Sequence, residues 1–254
     1  YIYISGYNKN FLNNNKFGYI SLAPSITEII YAINAQDDLI AVTSWCDYPK
    51  DVQKKFKMGD SFSINKEAII KLKPAIILAL DSQKPLIDDL KLLKVKVYYF
   101  SSNSIEDIYK NITKIGQVTE HAQEANQLLT KLKQKQTSIK KPDYKKNILY
   151  IAHANPIISI GKKSFITDII RKAGHESITD YLKTGYDEGY PEISLEFAML
   201  KKPDIVVVCD KNSADYLSKF LKNSKFMILT REQCNIVNRP GPRAIDAIKI
   251  FASL

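Results

Sequence analysis

The feature that most constrains the fold is an internal repeat of a helix, a proline and a strand. The stretch NKEAIIKLKPAIILALDS at residues 65–82 returns in altered form as SLEFAMLKKPDIVVVCDK at residues 194–211, an offset of 129 residues. Each copy has a Glu, a Pro seven residues later, an apolar run and then an Asp. The paired positions are Glu67 with Glu196, Pro74 with Pro203, and Asp81 with Asp210. The repetition predicts two related α/β units in one chain.

Strand and helix patterns alternate on both sides of the chain centre. Residues 18–103 hold the apolar runs GYISL, DLIAV, AIILAL and VKVYYF, which are separated by helical patterns. The alternation resumes after residue 138 with NILYIAH, DIVVVCD and FMILT. Strands that alternate with helices imply mainly parallel sheets with helices on both faces. We predict an N-terminal α/β lobe over residues 1–103 and a C-terminal α/β lobe over residues 139–254.

The central segment has a different pattern. From Ser104 to Gln136 apolar residues recur at helical spacing without a proline, and Gly116 is the only residue that would weaken a helix. A straight helix of this length would span about 50 Å, which is too long for a crossover within a small sheet. We predict one long rigid helix over residues 104–138 that joins the two lobes.

The composition narrows the function classes. The net charge of +10 comes mostly from scattered Lys, with no RNA-recognition, zinc-finger or recognition-helix pattern, so we expect no nucleic-acid partner. No apolar run reaches the 18 residues typical of a membrane span. The chain begins at Tyr1 without a signal peptide, which we interpret as a processed or trimmed form, so an exported protein remains open.

Catalytic motifs are missing from the sequence. There is no GxSxG, HExxH or phosphate-loop motif, and the three histidines, at 121, 153 and 175, do not cluster in sequence. We therefore expect a binding protein and not an enzyme, with no catalytic residues, no catalytic cofactor and no metal site. His153 ends a strand pattern and is the one candidate ligand to a metal or haem.

The three cysteines allow at most one disulfide. There is no CxxC pattern, so a structural zinc site is not expected. Cys209 ends one apolar strand and Cys234 follows the next, so adjacent strand ends could bring them together. Buried free thiols are an equally good interpretation.

Loops after strands are the candidate binding surface, because ligands of open parallel sheets lie beyond the carboxyl ends of the strands. After the first strand, Ser25 is a candidate helix N-cap with Glu28 at capping-box spacing. Trp45, the only Trp, shares the loop after the second strand with Tyr48 and could form a flat platform for a ring system.

In the second half the candidate loops hold aromatic and basic residues. Tyr186 and Tyr190 lie in TGYDEGYPEIS, and NRPGPR carries Arg239 and Arg243, two of only four arginines. In a chain so rich in Lys, an Arg indicates a place that needs the planar guanidinium group with its five hydrogen-bond donors. Capping of the last helix is an equal alternative for Arg243.

From about Gly18 to Leu254 the chain resembles the substrate-binding proteins of ABC importers, in the class that binds vitamin B12, ferric siderophores or haem. SLAPSITEIIYAI is similar to the opening motif of that family, and LKPAIILA and LKKPDIVVV are similar to its paired Lys-Pro-strand segments. SINKEAI and ISLEFAML are similar to the segments that carry one surface Glu in each lobe. The resemblance implies the class III periplasmic binding protein fold, with two lobes, each a mainly parallel sheet flanked by helices, joined by one rigid helix.

The resemblance also implies a partner and a location. Glu67 and Glu196 match the two acidic residues that dock such proteins onto arginines of the membrane permease dimer. The alternative is that each Glu merely stabilises a helix N-terminus, a contribution of about 0.3–1 kcal/mol. We expect a monomer that is either periplasmic or a membrane-anchored lipoprotein on the extracytoplasmic side.

For the ligand, TSWCDYP and NRPGPR are similar to the cobalamin-binding branch of the family. The resemblance implies a corrin held between the lobes, with residues of two kinds around it. The aromatic platforms would be Trp45, Phe62 and Tyr190, with Tyr48 beside them, and the polar contacts would be Ser25, Asn155 and Arg239.

The sequence is also compatible with other functions. A ferric siderophore would suit Arg, Tyr and a basic surface. Haem would take His153 or a Tyr as axial ligand. Two further alternatives are an α/β enzyme such as a metal chelatase, which would need clustered ligands, and a partner-binding sensor that takes no part in uptake.

Overall fold

The structure is a computed structural model that describes residues 18–60, 63–93, 95–182 and 189–254. These residues form two compact units. The described residues of unit 1 fall within Tyr1–Ser101 and Lys110–Leu129, and those of unit 2 fall within Ser102–Tyr109 and Thr130–Leu254. Each unit has its own sheet and its own apolar core.

Unit 1 is built on five parallel strands. They are β1 (Tyr19–Ser21), β2 (Leu39–Val42), β3 (Phe56–Lys57), β4 (Ile76–Leu80) and β5 (Lys96–Phe100). Their order in the sheet is β3-β2-β1-β4-β5. Every residue of β1 and β2 is buried, as expected for parallel strands covered on both faces.

Helices flank this sheet. The α-helices that follow its strands are α1 (Pro24–Ala32), α2 (Lys66–Leu72) and α3 (Lys84–Ile87). Short 3₁₀ helices cover Lys50–Lys54, Asp81–Gln83 and Asp88–Leu93, so the segment between β4 and β5 is α-helical only over Lys84–Ile87. The N-cap predicted at Ser25 is wrong. Pro24 takes the first helical position that proline favours, which moves the N-cap back to Ala23, and no side chain caps the helix.

Unit 2 has a second parallel sheet and a small hairpin. The sheet strands are β6 (Asn147–Tyr150), β9 (Glu176–Ser177), β10 (Ile205–Val208) and β11 (Lys225–Ile228). Their order is β11-β10-β6-β9. The antiparallel hairpin between β6 and β9 consists of β7 (His153–Ala154) and β8 (Ile157–Ile158). Mainly parallel sheets flanked by helices are the predicted fold class, which is confirmed.

The helices of unit 2 include one that the sequence patterns did not predict. Its α-helices are numbered after α4 (Ile105–Val118) and α5 (Ala122–Ser138) of the central segment. They are α6 (Phe165–Lys172), α7 (Leu195–Lys201), α8 (Lys211–Leu217), α9 (Arg231–Asn238) and α10 (Ala244–Ala252). A 3₁₀ helix covers Ile178–Tyr181. The unpredicted helix is α9, which begins with a capping box between Thr230 and Gln233.

The internal repeat is present in backbone detail. The side chains of Asn65 and Ser194 cap α2 and α7 by accepting from the third N–H of each helix, at 2.9 and 3.1 Å. Both helices have seven residues and end at a left-handed Lys, Lys73 and Lys202, each with φ of 47°. The equivalent strands β4 and β10 follow each proline.

The central segment forms two helices instead of the one predicted over residues 104–138. They are α4 (Ile105–Val118) and α5 (Ala122–Ser138). Each helix contributes residues to both units, because 102–109 belong to unit 2, 110–129 to unit 1 and the remainder to unit 2. The predicted boundaries of the lobes stay predictions. In the described part of the chain, no helix is both long and apolar enough to cross a membrane.

The interruption is a helix-ending turn that the apolar spacing does not reveal. Glu120 has φ of 62°, and the N–H of His121 donates to the carbonyl of Gly116 at 2.7 Å, the bond of a Schellman motif. The N–H of Ala125 then donates to the carbonyl of His121 at 3.0 Å, which starts α5. A side chain at Gly116 would lie 2.4 Å from Cβ of Ala125, so the glycine permits the close approach of the two helices.

Candidate functional site

In unit 1 three loops meet at the carboxyl edge of the sheet. Strands β1, β2 and β3 are neighbours and parallel, so the segments that follow them lie side by side. These segments carry Ser25, Trp45 and Asp60. This is the edge at which open parallel sheets bind ligands.

Trp45 projects from this edge, with 58% of its surface exposed. It lines an open depression of about 440 Å³ together with Ser44, Gly59, Asp60 and Ser63. The amide and the hydroxyl of Ser44 both donate to the carbonyl of Gly59, at 2.8 and 2.9 Å, which fixes the β2 and β3 loops to each other. An exposed indole beside a fixed polar floor suits a flat ring system with polar edges.

Buried Cys46 anchors the loop that carries Trp45. The buried thiol lies 3.2 Å from the hydroxyl oxygens of both Thr27 and Thr43, and Thr27 also donates to the hydroxyl of Ser21 at 2.8 Å. Burial raises the pKa of the Cys46 thiol, so the thiol is neutral at physiological pH and poorly reactive. The group therefore acts as an anchor for the loop.

Lys57 makes further contacts that hold the same loop. The ammonium group of Lys57 donates to the carbonyl of Cys46 at 2.9 Å and to that of Val52 at 3.4 Å. Tyr48 follows in the loop, is exposed, and joins Pro49 through a cis peptide bond. The structure thus places the two predicted aromatic residues Trp45 and Tyr48 on one anchored loop.

The remaining predicted residues of unit 1 differ in how they are presented. Ser25 lies in the first turn of α1 and is only 3% exposed, so its hydroxyl is not open to solvent. Its contact with a ligand stays a prediction. Phe62 lies outside the described residues, and so does Tyr186 of unit 2.

In unit 2 the β7–β8 hairpin extends the carboxyl edge of the sheet directly after β6. Asn155 lies exposed at the tip of the hairpin. The loop that carries Tyr190 runs beside β8, because Ser159 donates to Pro191 and Ile193 donates to Ile157, both through backbone bonds of 2.9 Å. The structure therefore brings Asn155 and Tyr190 to the same edge of unit 2.

Tyr190 presents a largely exposed side chain at this edge. The residue is 59% exposed, and desolvation by neighbouring atoms raises the pKa of its phenol. The phenol stays neutral at physiological pH and can donate a hydrogen bond while the ring stays available for stacking.

Arg239 is placed at this edge by the end of α9. Cys209, directly after β10, forms a disulfide with Cys234 in α9, with a Cα–Cα distance of 5.8 Å. This decides between the two alternatives that the sequence left open, and Cys46 is a free buried thiol. Asn238, the last residue of α9, accepts from the hydroxyl of Tyr150 at 2.9 Å, and the half-buried Arg239 follows it.

Arg243 occupies a different position from Arg239. It is the N-cap residue of α10, but its side chain makes no capping hydrogen bond. The alternative that the side chain of Arg243 caps the last helix is therefore wrong.

His153 is exposed on β7 with one ring nitrogen engaged. Its Nδ1 lies 3.0 Å from the carbonyl of Pro156, and because a carbonyl only accepts, Nδ1 carries the proton. The lone pair of Nε2 is then directed away from this bond and is the nitrogen that could ligate a metal or haem iron. Among the described residues no group of three His, Cys, Asp or Glu side chains could hold a metal ion.

The two repeated acidic residues are presented alike. Glu67 and Glu196 each occupy the second position of their helix, α2 and α7, and both are exposed. Within the described residues neither carboxylate forms an ion pair. Each unit thus presents one free negative charge at an equivalent place.

Sequence comparison places the chain in a family. The model of the family described as "Periplasmic binding protein" matches residues 20–231. The chain belongs to this family. Its members are extracytoplasmic substrate-binding proteins that deliver ligands to ABC transporter permeases. The predicted family is confirmed.

Three similar proteins illustrate the range of this periplasmic binding protein family. A vitamin B12-binding protein of Vibrio vulnificus (strain YJ016) is 32% identical over 247 residues, which are 91% of this chain and 86% of that protein. The crystal structure of a possible iron-binding (periplasmic solute-binding) protein from Staphylococcus epidermidis ATCC 12228 is 29% identical, with a TM-score of 0.77 over 94% of this chain and 98% of that one. The periplasmic vitamin B12 binding protein of Vibrio cholerae has a TM-score of 0.74 at 24% identity over 92% and 94% of the two chains, which shows the shared fold.

The structure also contains site features that sequence patterns did not indicate. These are the anchoring of the Trp45 loop by Cys46 and the bond from Tyr150 to Asn238. The capping-box spacing of Thr230 and Gln233 was the available signal for α9, which positions Asn238. No comparable signal exists for the contacts of Cys46, because they join segments that are distant in sequence.

Proposed function

We propose that this protein is an extracytoplasmic substrate-binding protein that captures cobalamin or a related corrinoid and delivers it to an ABC transporter permease. The observation that carries the proposal is an exposed Trp45 on an anchored loop, in a chain that is 32% identical to a vitamin B12-binding protein. The protein does no chemistry on its ligand in this proposal.

The side chains at the two carboxyl edges suit a corrinoid chemically. A corrin is a wide, flat macrocycle with amide arms, so it needs aromatic faces for the ring and hydrogen-bonding groups for the arms. Trp45 and Tyr190 would supply the faces, with Tyr48 beside Trp45. Asn155 and Arg239 would supply polar partners at the edge of unit 2. The predicted roles of Ser25 and Phe62 complete the proposed set.

Isothermal titration calorimetry of the purified protein tests the ligand class. We expect cyanocobalamin to bind with a dissociation constant below about 1 μM, which corresponds to roughly −8 kcal/mol. Ferric siderophores and haem, titrated separately, should bind much more weakly. Tight binding of one of these with no binding of cyanocobalamin would overturn the corrinoid proposal.

A ferric chelate is the second candidate ligand. The 29% identical structure from Staphylococcus epidermidis is described as possibly iron-binding, and the net charge of +10 would favour an anionic chelate. Arg239 could then bind a carboxylate or catecholate oxygen. Haem is a third candidate, for which His153 Nε2 would be the axial ligand.

Delivery would depend on the two repeated glutamates. We propose that Glu67 and Glu196 form ion pairs with arginines of a permease dimer. A Glu67→Ala/Glu196→Ala variant should lose uptake while it retains ligand affinity. Lost affinity would instead place these residues at the ligand and contradict the docking role.

We further propose that the protein works as a monomer, either free in the periplasm or attached to the membrane as a lipoprotein. Light scattering of the purified protein tests the first point. Metabolic labelling of the protein in its own cells with a fatty acid distinguishes the two modes of attachment.

A further inference from the structure

Two exposed apolar side chains occupy equivalent positions in the repeat. Ile70 in α2 is 48% exposed, and Met199 in α7 is 45% exposed. They are separated by 129 residues, which is the same offset that pairs Glu67 with Glu196. Exposed apolar residues are common singly, but the recurrence of one at the same place in two repeats needs an explanation.

Each of these residues lies beside the repeated acidic residue. Ile70 is three positions after Glu67, and Met199 is three positions after Glu196. Residues at this spacing are neighbours on one helix face. The two repeats therefore present the same pair of an anionic and an apolar side chain, which we call the acid–apolar pair.

The core of each unit does not require this apolar side chain. The buried position of each helix is the preceding residue, Ile69 in α2 and Ala198 in α7. Ile70 and Met199 are each about half exposed, and neither belongs to the apolar core cluster of its unit. An isoleucine there is even a poorer helix former than lysine or glutamate. Folding alone therefore gives no reason for the acid–apolar pair.

The surroundings of the pair differ between the repeats. The position after Ile70 is Lys71, whereas the position after Met199 is the exposed Leu200. At the first helical position, Lys66 pairs with Asp89 at 2.9 Å in unit 1, whereas the equivalent residue in unit 2 is the apolar Leu195. The exposed faces of α2 and α7 therefore share the acid–apolar pair but differ in the residues around it.

We propose that Ile70 and Met199 extend the docking sites already proposed for Glu67 and Glu196, so that each acid–apolar pair is a single docking surface for a transporter permease with two equivalent sites. Each site would offer a guanidinium or ammonium group to the Glu and an apolar side chain to Ile70 or Met199. The charge complementarity selects a basic partner, and the twofold repetition selects a partner that presents the same site twice. The apolar contact excludes water around the ion pair and strengthens it. This inference rests on the proposed delivery function.

Surface plasmon resonance tests the proposal. It measures binding of the cobalamin-loaded protein to the vitamin B12 permease–ATPase complex of the same organism, which is held in nanodiscs. The test variant is Ile70→Ser/Met199→Ser. The matched control is Ile228→Ser, because Ile228 is 46% exposed and lies outside the repeat. We expect the dissociation constant for the complex to rise at least about tenfold in the double variant and to stay unchanged in the control. Calorimetry should show the same affinity for cyanocobalamin in all three proteins.

The comparison variant Glu67→Ala/Glu196→Ala separates the charged from the apolar contribution. Its remaining affinity for the complex should be nearly independent of salt, whereas Ile70→Ser/Met199→Ser should keep the salt dependence of the wild type. If the serine variant binds the complex as the wild type does while the alanine variant does not, docking is by charge alone and the inference is overturned. If the wild type itself fails to bind the complex, the delivery function and the inference both fail.

Discussion

The hydroxyl of Tyr150 donates a hydrogen bond of 2.9 Å to Oδ1 of Asn238, which joins the end of β6 to the end of α9. The amide nitrogen of Asn238 in turn donates to the carbonyl of Cys234 at 2.9 Å. These bonds fix the residue that precedes Arg239 at the carboxyl edge of unit 2. The position of a candidate ligand contact thus depends on a buried tyrosine that is itself not exposed to a ligand.

Replacing Tyr150 with Phe should destabilise unit 2 and misplace Arg239. The change leaves the Asn238 oxygen without its partner in a partly buried place, which costs about 1–3 kcal/mol. Urea unfolding measures the loss, and calorimetry with cyanocobalamin should show weaker binding. Tyr144→Phe is the matched control, because Tyr144 is exposed. Equal stability of the two variants would show that the bond contributes nothing.

Removing the disulfide should lower stability substantially. The bond between Cys209 and Cys234 spans 25 residues, and a loop of that length predicts a loss of roughly 3–4 kcal/mol from the entropy of the unfolded chain. The Cys209→Ser/Cys234→Ser variant should unfold at a lower urea concentration than the wild type. Cys46→Ser controls for the loss of a thiol elsewhere. A reductant that leaves the wild-type unfolding midpoint unchanged would contradict this expectation.

The turn between α4 and α5 should not tolerate a side chain at Gly116. A Cβ there would lie 2.4 Å from Cβ of Ala125 and 3.0 Å from the carbonyl oxygen of His121. Gly116→Ala should therefore cost about 1–3 kcal/mol, although alanine favours helices. Thermal unfolding of Gly116→Ala and of the control Gln117→Ala, which changes an exposed neighbour, measures this loss of stability. Recovery of stability in Gly116→Ala/Ala125→Gly would confirm the contact, and a stabilising Gly116→Ala would refute it.

His175 should make stability fall under mildly acid conditions. Its ring is buried, accepts from the N–H of Lys146 at 3.2 Å and donates to the carbonyl of Phe251 at 3.0 Å. Burial lowers the pKa of His175 below the usual value of 6.5, so the unfolded chain takes up a proton that the folded protein resists. The contribution of His175 to the free energy of unfolding is therefore fully present above pH 6.5. It declines as the pH falls from 6.5 towards the lower pKa of His175 in the folded protein.

Urea unfolding at a series of pH values tests this dependence. His175→Gln should be less stable at neutral pH, yet its stability should change less as the pH falls below 6.5. An unchanged slope in His175→Gln would assign the dependence to other groups.

The strands and helices of the repeat could be predicted because their signals are local. Pro74 and Pro203 mark the ends of α2 and α7, and continuous apolar runs mark β4 and β10. The interruption between α4 and α5 could not be predicted, because the apolar spacing continues through it. It arises from the left-handed conformation of Glu120, a residue type that ordinarily continues a helix.

The placement of the candidate residues at the carboxyl edges could be predicted better than the contacts that hold their loops. The candidate residues follow strands or strand-linked helices in the sequence, so their approach to a carboxyl edge follows from the topology. They are Trp45, Tyr48, Asn155, Tyr190 and Arg239. What holds their loops depends on long-range contacts. The disulfide to Cys234 is the clearest case, because it required α9, which was not predicted.

Fluorescence of Trp45 tests the central claim most directly, since this is the only tryptophan in the chain. Cyanocobalamin titrated into the purified protein should quench the emission saturably at submicromolar concentration, and the calorimetric affinity should fall in Trp45→Leu. Tyr144→Phe should bind as the wild type does. Cyanocobalamin that leaves both the emission and the heat signal unchanged, while a ferric chelate or haem alters them, would contradict the corrinoid function and assign the protein to iron uptake.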